Sequence, residues 1–560
     1  MRTLFSIHQY TKKLPLAENM HDIFPHTKHT SYNLLSLLLY TSKQQFNWSV
    51  ENPKQAQERV LKAISGQIRN SAFAKSVLGG AKFTGLQEYR DSVPIMQYEH
   101  YRPWVERIAQ GEKHVLSKDA VLSFVETSGT SAQAKLIPVT KSWSKHIQQA
   151  QSLWMLSLLR DYPQLAMGDK WNIVSSATER RSQSGLPIGA NTGRMQDSLS
   201  GIFSKGFLRV PEIHKISDQD AKQYVALRIA LEHNLVSWTT ANPSTFLVYT
   251  KKLLEYHRFF EEDLHQGTLQ YGPAELLSPE QRAWFAPYLT KSSVPMDWKP
   301  ADIWPLAVLN CWKGGSAKVF VDKLPQHIGA ELPVRDLGIT ASEGYFALPL
   351  SHDWDGGVLW NLGELLEFRD HRGNLYWGWE LEQGKQYDLI MSSVNGLLRY
   401  DLQDKIEVTG FYKNTPIIRF VGKSGRYINA VGEKVSEEQL ALAVGRAQKV
   451  WTHFTWIGFS GYMDVHTDNP HIEMVMELSH VVDTEAIAKE LDTALQEISV
   501  EYASKRQTQR LHPLSLRLVQ PQTYSQFRNW RLSQGATDAQ VKDCIIATPT
   551  EWEFLQRYIL

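Results

Sequence analysis

The chain predicts a mixed α/β (α+β) protein, with a large N-terminal domain of β-sheets flanked by helices and a smaller C-terminal α/β domain. Three observations predict it. The 560 residues exceed what a single hydrophobic core usually supports. From about residue 121 to 420, short apolar runs alternate with helical segments. The same alternation restarts on a smaller scale after Gly422-Lys423-Ser424-Gly425-Arg426, a glycine pair flanking charge that suits a flexible connection.

Taken in order, residues 30–120 mix charged and apolar residues at helical spacing with few β-branched runs, as in Gln55 to Phe73, and predict helices. Val121-Leu122-Ser123-Phe124-Val125 reads as a strand. Trp171-Asn172-Ile173-Val174 and Gly363-Glu364-Leu365-Leu366-Glu367-Phe368 read the same way, with Asp220 to Glu232 as a helix among them. Past the glycine pair, Ser436 with Gln439 forms a capping box that starts a helix running to about Lys449. An alternating strand at Ile472 to Leu478, one long helix from about Thr484 to Ala503 and a strand at Leu514 to Val519 complete the pattern. The division expected is residues 1–421, a hinge at 422–426, and 427–560.

Hydrophobic residues at 42% and charged residues at 21% place the chain among globular proteins and exclude disordered and fibrous classes. Lys plus Arg (60) nearly cancels Asp plus Glu (59), so no net field draws it to nucleic acid or an anionic membrane, and neither is expected as a partner. Two cysteines, Cys311 and Cys544, are too few for a disulfide framework and lack zinc spacing, which fits a reducing compartment. Met1 to Met20 lacks the continuous apolar core of a signal peptide, and Leu34 to Tyr40 is far shorter than the roughly 20 residues of a membrane span. A cytoplasmic protein is expected, and no pattern assigns an oligomeric state.

The densest chemistry lies in Glu126-Thr127-Ser128-Gly129-Thr130-Ser131-Ala132-Gln133-Ala134-Lys135-Leu136-Ile137-Pro138. Gly129 permits close backbone approach, Ser128, Thr130 and Ser131 add hydroxyl donors, and Lys135 supplies a mobile point charge, so the loop suits phosphate. It is not the Walker pattern, and the same composition also makes a plain turn. In Gly338-Ile339-Thr340-Ala341-Ser342-Glu343-Gly344-Tyr345, a carboxylate between small residues can ligate Mg²⁺ while Ser342 meets a phosphate; a turn with a solvated Glu is the other reading. Leu397-Leu398-Arg399-Tyr400-Asp401-Leu402-Gln403-Asp404 reads as a strand ending in two acids, either of which can take ribose hydroxyls or serve as a turn acid. Val431-Gly432-Glu433-Lys434 and Gln540-Val541-Lys542 each set a lysine beside small residues or at the end of a short run.

The order of these pieces resembles adenylate-forming enzymes, and more closely the plant auxin-responsive Gretchen Hagen three family of acyl-acid amido synthetases with its bacterial members. That family's loop reads Ser-Ser-Gly-Thr-Ser-x-Gly-x-x-Lys followed by Ile-Pro or similar, and residues 127–138 match it. The lead-in Val93-Pro94-Ile95-Met96-Gln97-Tyr98-Glu99, then Arg107-Ile108 and Gly111-Glu112, Asn310-Cys311-Trp312 with Gly314-Gly315, and Ala341-Ser342-Glu343-Gly344 follow in the family's order, as do the two lysine motifs. The likeness spans roughly residues 55–545.

The resemblance implies an ATP-dependent ligase that joins a small-molecule carboxylic acid to an amino acid or similar amine through an acyl-adenylate, with a mobile C-terminal domain. It implies that Ser128, Gly129, Thr130, Ser131 and Lys135 hold ATP phosphates, and that Glu343 places Mg²⁺ with Ser342 near the α-phosphate. Asp404 would take the ribose with Tyr400 beside the nucleotide, and Lys434 and Lys542 would approach the α-phosphate from the smaller domain. Residues 185–189 and 238–243 would help line the acid pocket, and Trp312 could stack on an aryl acid. Departures are Gln133 where the family has glycine, Ile339 for the tyrosine of plant members, Asp401 and Gln403 where Arg and Gly are common, and Asp543-Cys544 in place of Pro-Arg. Two alternatives stand beside this reading: an acyl-CoA ligase using the same adenylate, and a catalytically silent nucleotide-binding protein.

Overall fold

The computed structural model describes residues 23–560 except 26, 81, 128–134, 199–205, 294, 296, 424–426, 429–432, 434, 452–454, 464–469, 481–482, 508–510 and 535–543. Six helices lie between Thr30 and Ala109, as the mixed periodicity predicts. Pro53–Ile68 starts on its proline and buries Val60, Leu61, Ile64 and Ile68 along one stripe. Among the described residues no helix is long and apolar enough to cross a membrane.

Three sheets follow. Val121–Thr127 and Lys135–Thr140 form an antiparallel hairpin whose last pair is Thr127 with Lys135, so residues 128–134 connect its ends. That hairpin belongs to a four-stranded sheet in which Val121–Thr127 also pairs in parallel with Pro187–Gly189. A five-stranded sheet built on Asp169–Ile173, Leu235–Thr240 and Val308–Asn310 is parallel throughout. An eight-stranded antiparallel sheet contains Ile339–Thr340, Tyr345–Leu348, Leu365–Arg369, Gln386–Ser392, Tyr400–Tyr412 and Thr415–Lys423. The long helix Lys141–Asp161, capped by Thr140, packs its buried face into the same core as the eight-stranded sheet and the N-terminal helices.

Residues beyond 427 have cores of their own, one containing Ile428, Val435, Leu440 and Ile546, the other Val475, Phe527 and Trp552. Phe320 enters the first of these, and Lys323 donates to the carbonyl of Trp456 at 2.7 Å while burial pushes its ammonium down to about 6. Arg419 reaches across as well, meeting Glu407 at 2.9 Å and Glu438 at 3.4 Å.

The capping box at Ser436 and Gln439 is present and opens the helix Glu437–Val450. Two expectations need correction. The single helix expected from Thr484 to Ala503 is two, Thr484–Ile498 and Val500–Gln507, broken where Ser499 is extended. The break turns Tyr502 and Arg506 back so that both donate to Asp492 of the preceding helix, at 2.5 and 2.9 Å. The strand expected at Ile472 to Leu478 is present as Glu473–Leu478, its side chains alternating between two cores, with Met474 and Met476 in one and Val475 in the other. The run 397–404 does not end a strand; Tyr400 begins the longest strand among the described residues, and the acids lie at its start.

What fixes that start is a buried ion pair. Arg399, 4% exposed, donates to both oxygens of Glu367, 1% exposed, at 2.8 and 3.1 Å, and to the carbonyls of Arg90 and Val93. Arg90 adds a second guanidinium to Glu367 at 2.9 Å. The helices and sheet are thereby tied through one carboxylate. Glu367→Ala leaves two guanidinium groups without their shared partner, so we expect a loss of about 3–5 kcal/mol by urea unfolding; a loss below about 1 kcal/mol would show that water readily replaces Glu367.

Candidate functional site

The lead-in helix segment and the strand starts meet at one point. Met96 pairs with Tyr400 as an isolated parallel bridge, its amide donating to the Arg399 carbonyl and its carbonyl accepting from Asp401 N–H, both at 2.9 Å. Tyr98, two residues on, takes the Leu136 amide at 2.7 Å and donates to the Leu136 carbonyl at 3.0 Å, clasping the strand that Lys135 begins. The Lys135 ammonium lies 5.7 Å from the Tyr98 ring centre and donates to the Tyr400 hydroxyl at 3.5 Å.

The same hydroxyl bonds the Glu343 carboxylate; burial, then the adjoining carboxylate charge, holds the phenol far above its usual range, so it stays a donor. Glu343 sits with Ser342 in the turn between Ile339–Thr340 and Tyr345–Leu348, closed by Ala341 N–H to the Gly344 carbonyl at 2.9 Å. Trp143 on the long helix donates to the Glu343 carbonyl at 3.1 Å. Gly344 is required here, since a Cβ would stand 2.8 Å from a carboxylate oxygen of Glu364. Lys135, Tyr400 and Glu343 thus form a continuous polar chain linking two sheets.

Asp404, 5% exposed, lies on the same strand as Tyr400 and contributes to the field on its hydroxyl. It pairs with Leu389 on one side and with Lys423, the last residue of Thr415–Lys423, on the other. Leu402 and Gln403 bulge out between Asp401 and Asp404. Gln403 has φ of 57°, a conformation glycine adopts more readily, at a cost of about 1 kcal/mol. Asp401 offsets it by accepting the Gln403 amide at 3.0 Å and by pairing with Arg369 at 3.0 Å. The two departures from the family pattern at 401 and 403 are therefore coupled, and Asp401 is committed to holding the bulge.

A cavity of about 310 Å³ opens between the long helix and the carboxyl ends of the parallel strands, the usual place for a ligand on such a sheet. Gln148 and Gln151 line it from the helix, five and eight residues beyond Trp143, hence about 7–12 Å along the axis from the Glu343 turn. Leu337, whose carbonyl takes the Tyr345 hydroxyl at 2.7 Å, lines it beside that turn. Thr239, Thr240 and Ala241 of the segment expected to line an acid pocket are in its wall. Residues 185–189 are not: Pro187–Gly189 is a strand paired in parallel with Val121–Thr127, and a Cβ on Gly189 would strike the Ala177 backbone at 2.5 Å. Trp312 is anchored by its amide to the Ala241 carbonyl and is absent from the cavity wall among the described residues.

Of the residues singled out in the sequence, Lys135, Ser342, Glu343, Tyr400 and Asp404 are described and gather here. Ser128, Gly129, Thr130, Ser131, Lys434 and Lys542 lie outside the described residues. Sequence reasoning assigned no role to Tyr98 or Glu364. Tyr98 stands inside the lead-in motif, which carried its only signal. Both oxygens of Glu364 are fully buried, and burial pushes its pKa up to about 8 against the partial pull of the Tyr345 and Glu364 amides.

Three family models match the chain: GH3 family N-terminal domain over residues 42–334, central domain over 364–423 and C-terminal domain over 438–551. Indole-3-acetic acid-amido synthetase GH3.4 of Arabidopsis thaliana is 23% identical over 562 residues, covering 89% of this chain and 90% of that protein. Jasmonoyl-L-amino acid synthetase JAR6 of Nicotiana attenuata is 23% identical, covering 92% and 94%. In fold, the solved GH3.15 acyl acid amido synthetase superposes with a TM-score of 0.81 at 21% identity, covering 94% of this chain and 96% of that one. The structure of 2-hydroxyisobutyryl-CoA ligase in the postadenylation state gives 0.53 at 11% identity over 90% of each chain.

Glu364 makes stability depend on pH. Its carboxyl keeps its proton to about pH 8 in the folded chain but loses it near 4.5 when unfolded, so the native state binds the extra proton between those values. Wild-type stability should therefore fall as pH rises from about 4.5 to about 8 relative to Glu364→Gln, whose urea midpoint lacks this component. Parallel midpoints for the two proteins across that window would show that the carboxyl titrates normally.

Proposed function

The chain belongs to the GH3 family, and on that premise we propose that it is an acyl-acid amido synthetase, a ligase that forms carbon–nitrogen bonds at the expense of ATP. The observation that carries this reading is the Lys135–Tyr400–Glu343 chain, which sets a lysine from the hydroxyl-rich loop beside a nearly buried carboxylate.

A carboxylate resists attack by an amine because oxide is a poor leaving group. Transfer of AMP from ATP gives a mixed anhydride and pyrophosphate; the amine then attacks the acyl carbon, and AMP departs with the amide. Ser128, Gly129, Thr130 and Ser131 cradle the phosphates, and Lys135 adds a positive charge that strengthens as negative charge develops. The Tyr400 hydroxyl fixes the spacing of Lys135 and Glu343 by accepting from one and donating to the other. Asp404 accepts the ribose hydroxyls. A Mg²⁺ ion fits a site with one protein carboxylate, since its other ligands come from substrate phosphates and water; Glu343 would hold it near Ser342, and it would neutralise charge at the α-phosphate.

Residues 1–421 form the ATP- and acid-binding domain, 422–426 the hinge and 427–560 the smaller domain, which brings Lys434 and then Lys542 toward the α-phosphate and rotates between half-reactions. The pairing of Asp404 with Lys423 supports this, because it sets the nucleotide end of the strand at the hinge's edge. The acid lies in the 310 Å³ cavity with its carboxylate toward the Glu343 turn. Both cysteines are buried and free, which supports a cytoplasmic, reducing location.

Acid-dependent exchange of labelled pyrophosphate into ATP tests the first half-reaction. Glu343→Ala is expected to lower exchange by at least about 100-fold, and Tyr400→Phe by about 10-fold with a higher KM for ATP. Unchanged exchange in Glu343→Ala would remove this centre from the reaction. AMP release that follows coenzyme A and no amine would reassign the acceptor to a thiol.

A further inference from the structure

Tyr98 stands where a neighbouring strand would pair. Lys135–Thr140 is the edge strand of its four-stranded sheet, with Val121–Thr127 on its inner side, so among the described residues no strand pairs with the backbone groups along its outer side. At Leu136 two of those groups go to one side chain. The hydroxyl of Tyr98, a residue only 3% exposed, accepts from the Leu136 amide at 2.7 Å and donates to its carbonyl at 3.0 Å. Burial pushes the phenol up to about 12, so the donated proton stays in place. The ring of the same residue lies 5.7 Å from the Lys135 ammonium, within the range at which a ring face attracts a cation, while the Tyr400 hydroxyl takes that ammonium at a long 3.5 Å. Two residues earlier, Met96 bonds the backbone on either side of Tyr400, both times at 2.9 Å. Residues 96–98 therefore brace the backbone at both partners of the Lys135–Tyr400 contact.

We propose that Tyr98 is a positioning residue, which sets the Lys135 ammonium where it meets the β- and γ-phosphates of ATP. The proposal rests on the ATP-dependent reading above and gives a role to a residue that need not touch the nucleotide. A lysine stem has large rotamer freedom, and the attraction of its charge for phosphate weakens as the charge drifts away. The Tyr98 hydroxyl fixes where the strand starts, hence where the stem of Lys135 leaves the backbone; the ring fixes where its end rests.

Calorimetric titration of the intact protein with ATP plus Mg²⁺ and with AMP tests this, since AMP lacks those two phosphates and reports on the rest of the site. The wild-type protein should prefer ATP. Tyr98→Phe keeps the ring and removes both hydroxyl bonds, and should cut that preference about fivefold to tenfold while AMP affinity stays within about twofold. Lys135→Met should cut it at least as much, and adding Tyr98→Phe to Lys135→Met should cost less than about a further twofold, because no ammonium is left to place. Equal losses for ATP and AMP, losses that multiply in the double variant, or an unchanged preference in Tyr98→Phe overturns the proposal. Should Tyr98→Phe fail to fold, Lys135→Arg decides: it keeps the charge and alters the reach, so the preference should fall about fivefold or more, and full retention would show that charge suffices without placement. Absence of ATP binding by the wild-type protein would bring down the ATP-dependent reading and this proposal with it, whereas the variant outcomes bear on Tyr98 alone.

Discussion

The Glu367 carboxylate and the two guanidinium groups around it hold the rest of the arrangement in place. Arg399 is buried in a left-handed conformation, with φ of 43°, and nothing about its backbone favours that state. The ion pair to Glu367 and the two carbonyls it bonds overcome the strain. Tyr101 adds a clamp one residue earlier, bonding both the amide and the carbonyl of Leu398. Once Arg399 is set, Tyr400 must enter its strand with the hydroxyl turned toward Glu343, and Met96 must lie alongside.

Everything polar in the centre then follows from a few rigid starts of strands. Lys135 begins one strand, Tyr400 another, and Glu343 occupies a tight turn whose neighbour must be glycine. Such positions have little freedom to relax, so a hydrogen-bonded chain across them costs little further ordering entropy. Glu364 lies directly behind the turn as a neutral acid. Its proton removes the repulsion that a second carboxylate would impose on Glu343.

The chain's alternation of helix and strand was legible, as were the capping box at Ser436 and the motifs that carry Lys135, Glu343, Tyr400 and Asp404, because each is a local pattern of a few residues. The break at Ser499 was not legible, since a helical period continues through it and the reason for breaking is Asp492 in the preceding helix. The two-sided burial of Glu473–Leu478 was equally hidden: Glu473 and Glu477 look solvent-facing, yet Glu477 is 3% exposed and accepts the amides of Gln522 and Tyr524. Residues 185–189 stand outside the wall of the cavity, and motif order carries no information about which side of a sheet a strand faces.

By itself the sequence determined the mixed α/β class, the order of the hydroxyl-rich loop, the Glu343 turn and the Tyr400–Asp404 run, and the resemblance that joins them, since these depend on residue identity over short spans. The tertiary structure alone decided that Tyr98 clasps the Lys135 strand, that Asp401 serves the Gln403 bulge, and that Asn310, Gln151 and Gln196 line one cavity. Those facts depend on pairs separated by tens to hundreds of residues, and only the packed chain brings such groups within hydrogen-bonding distance and removes the water that would otherwise satisfy them.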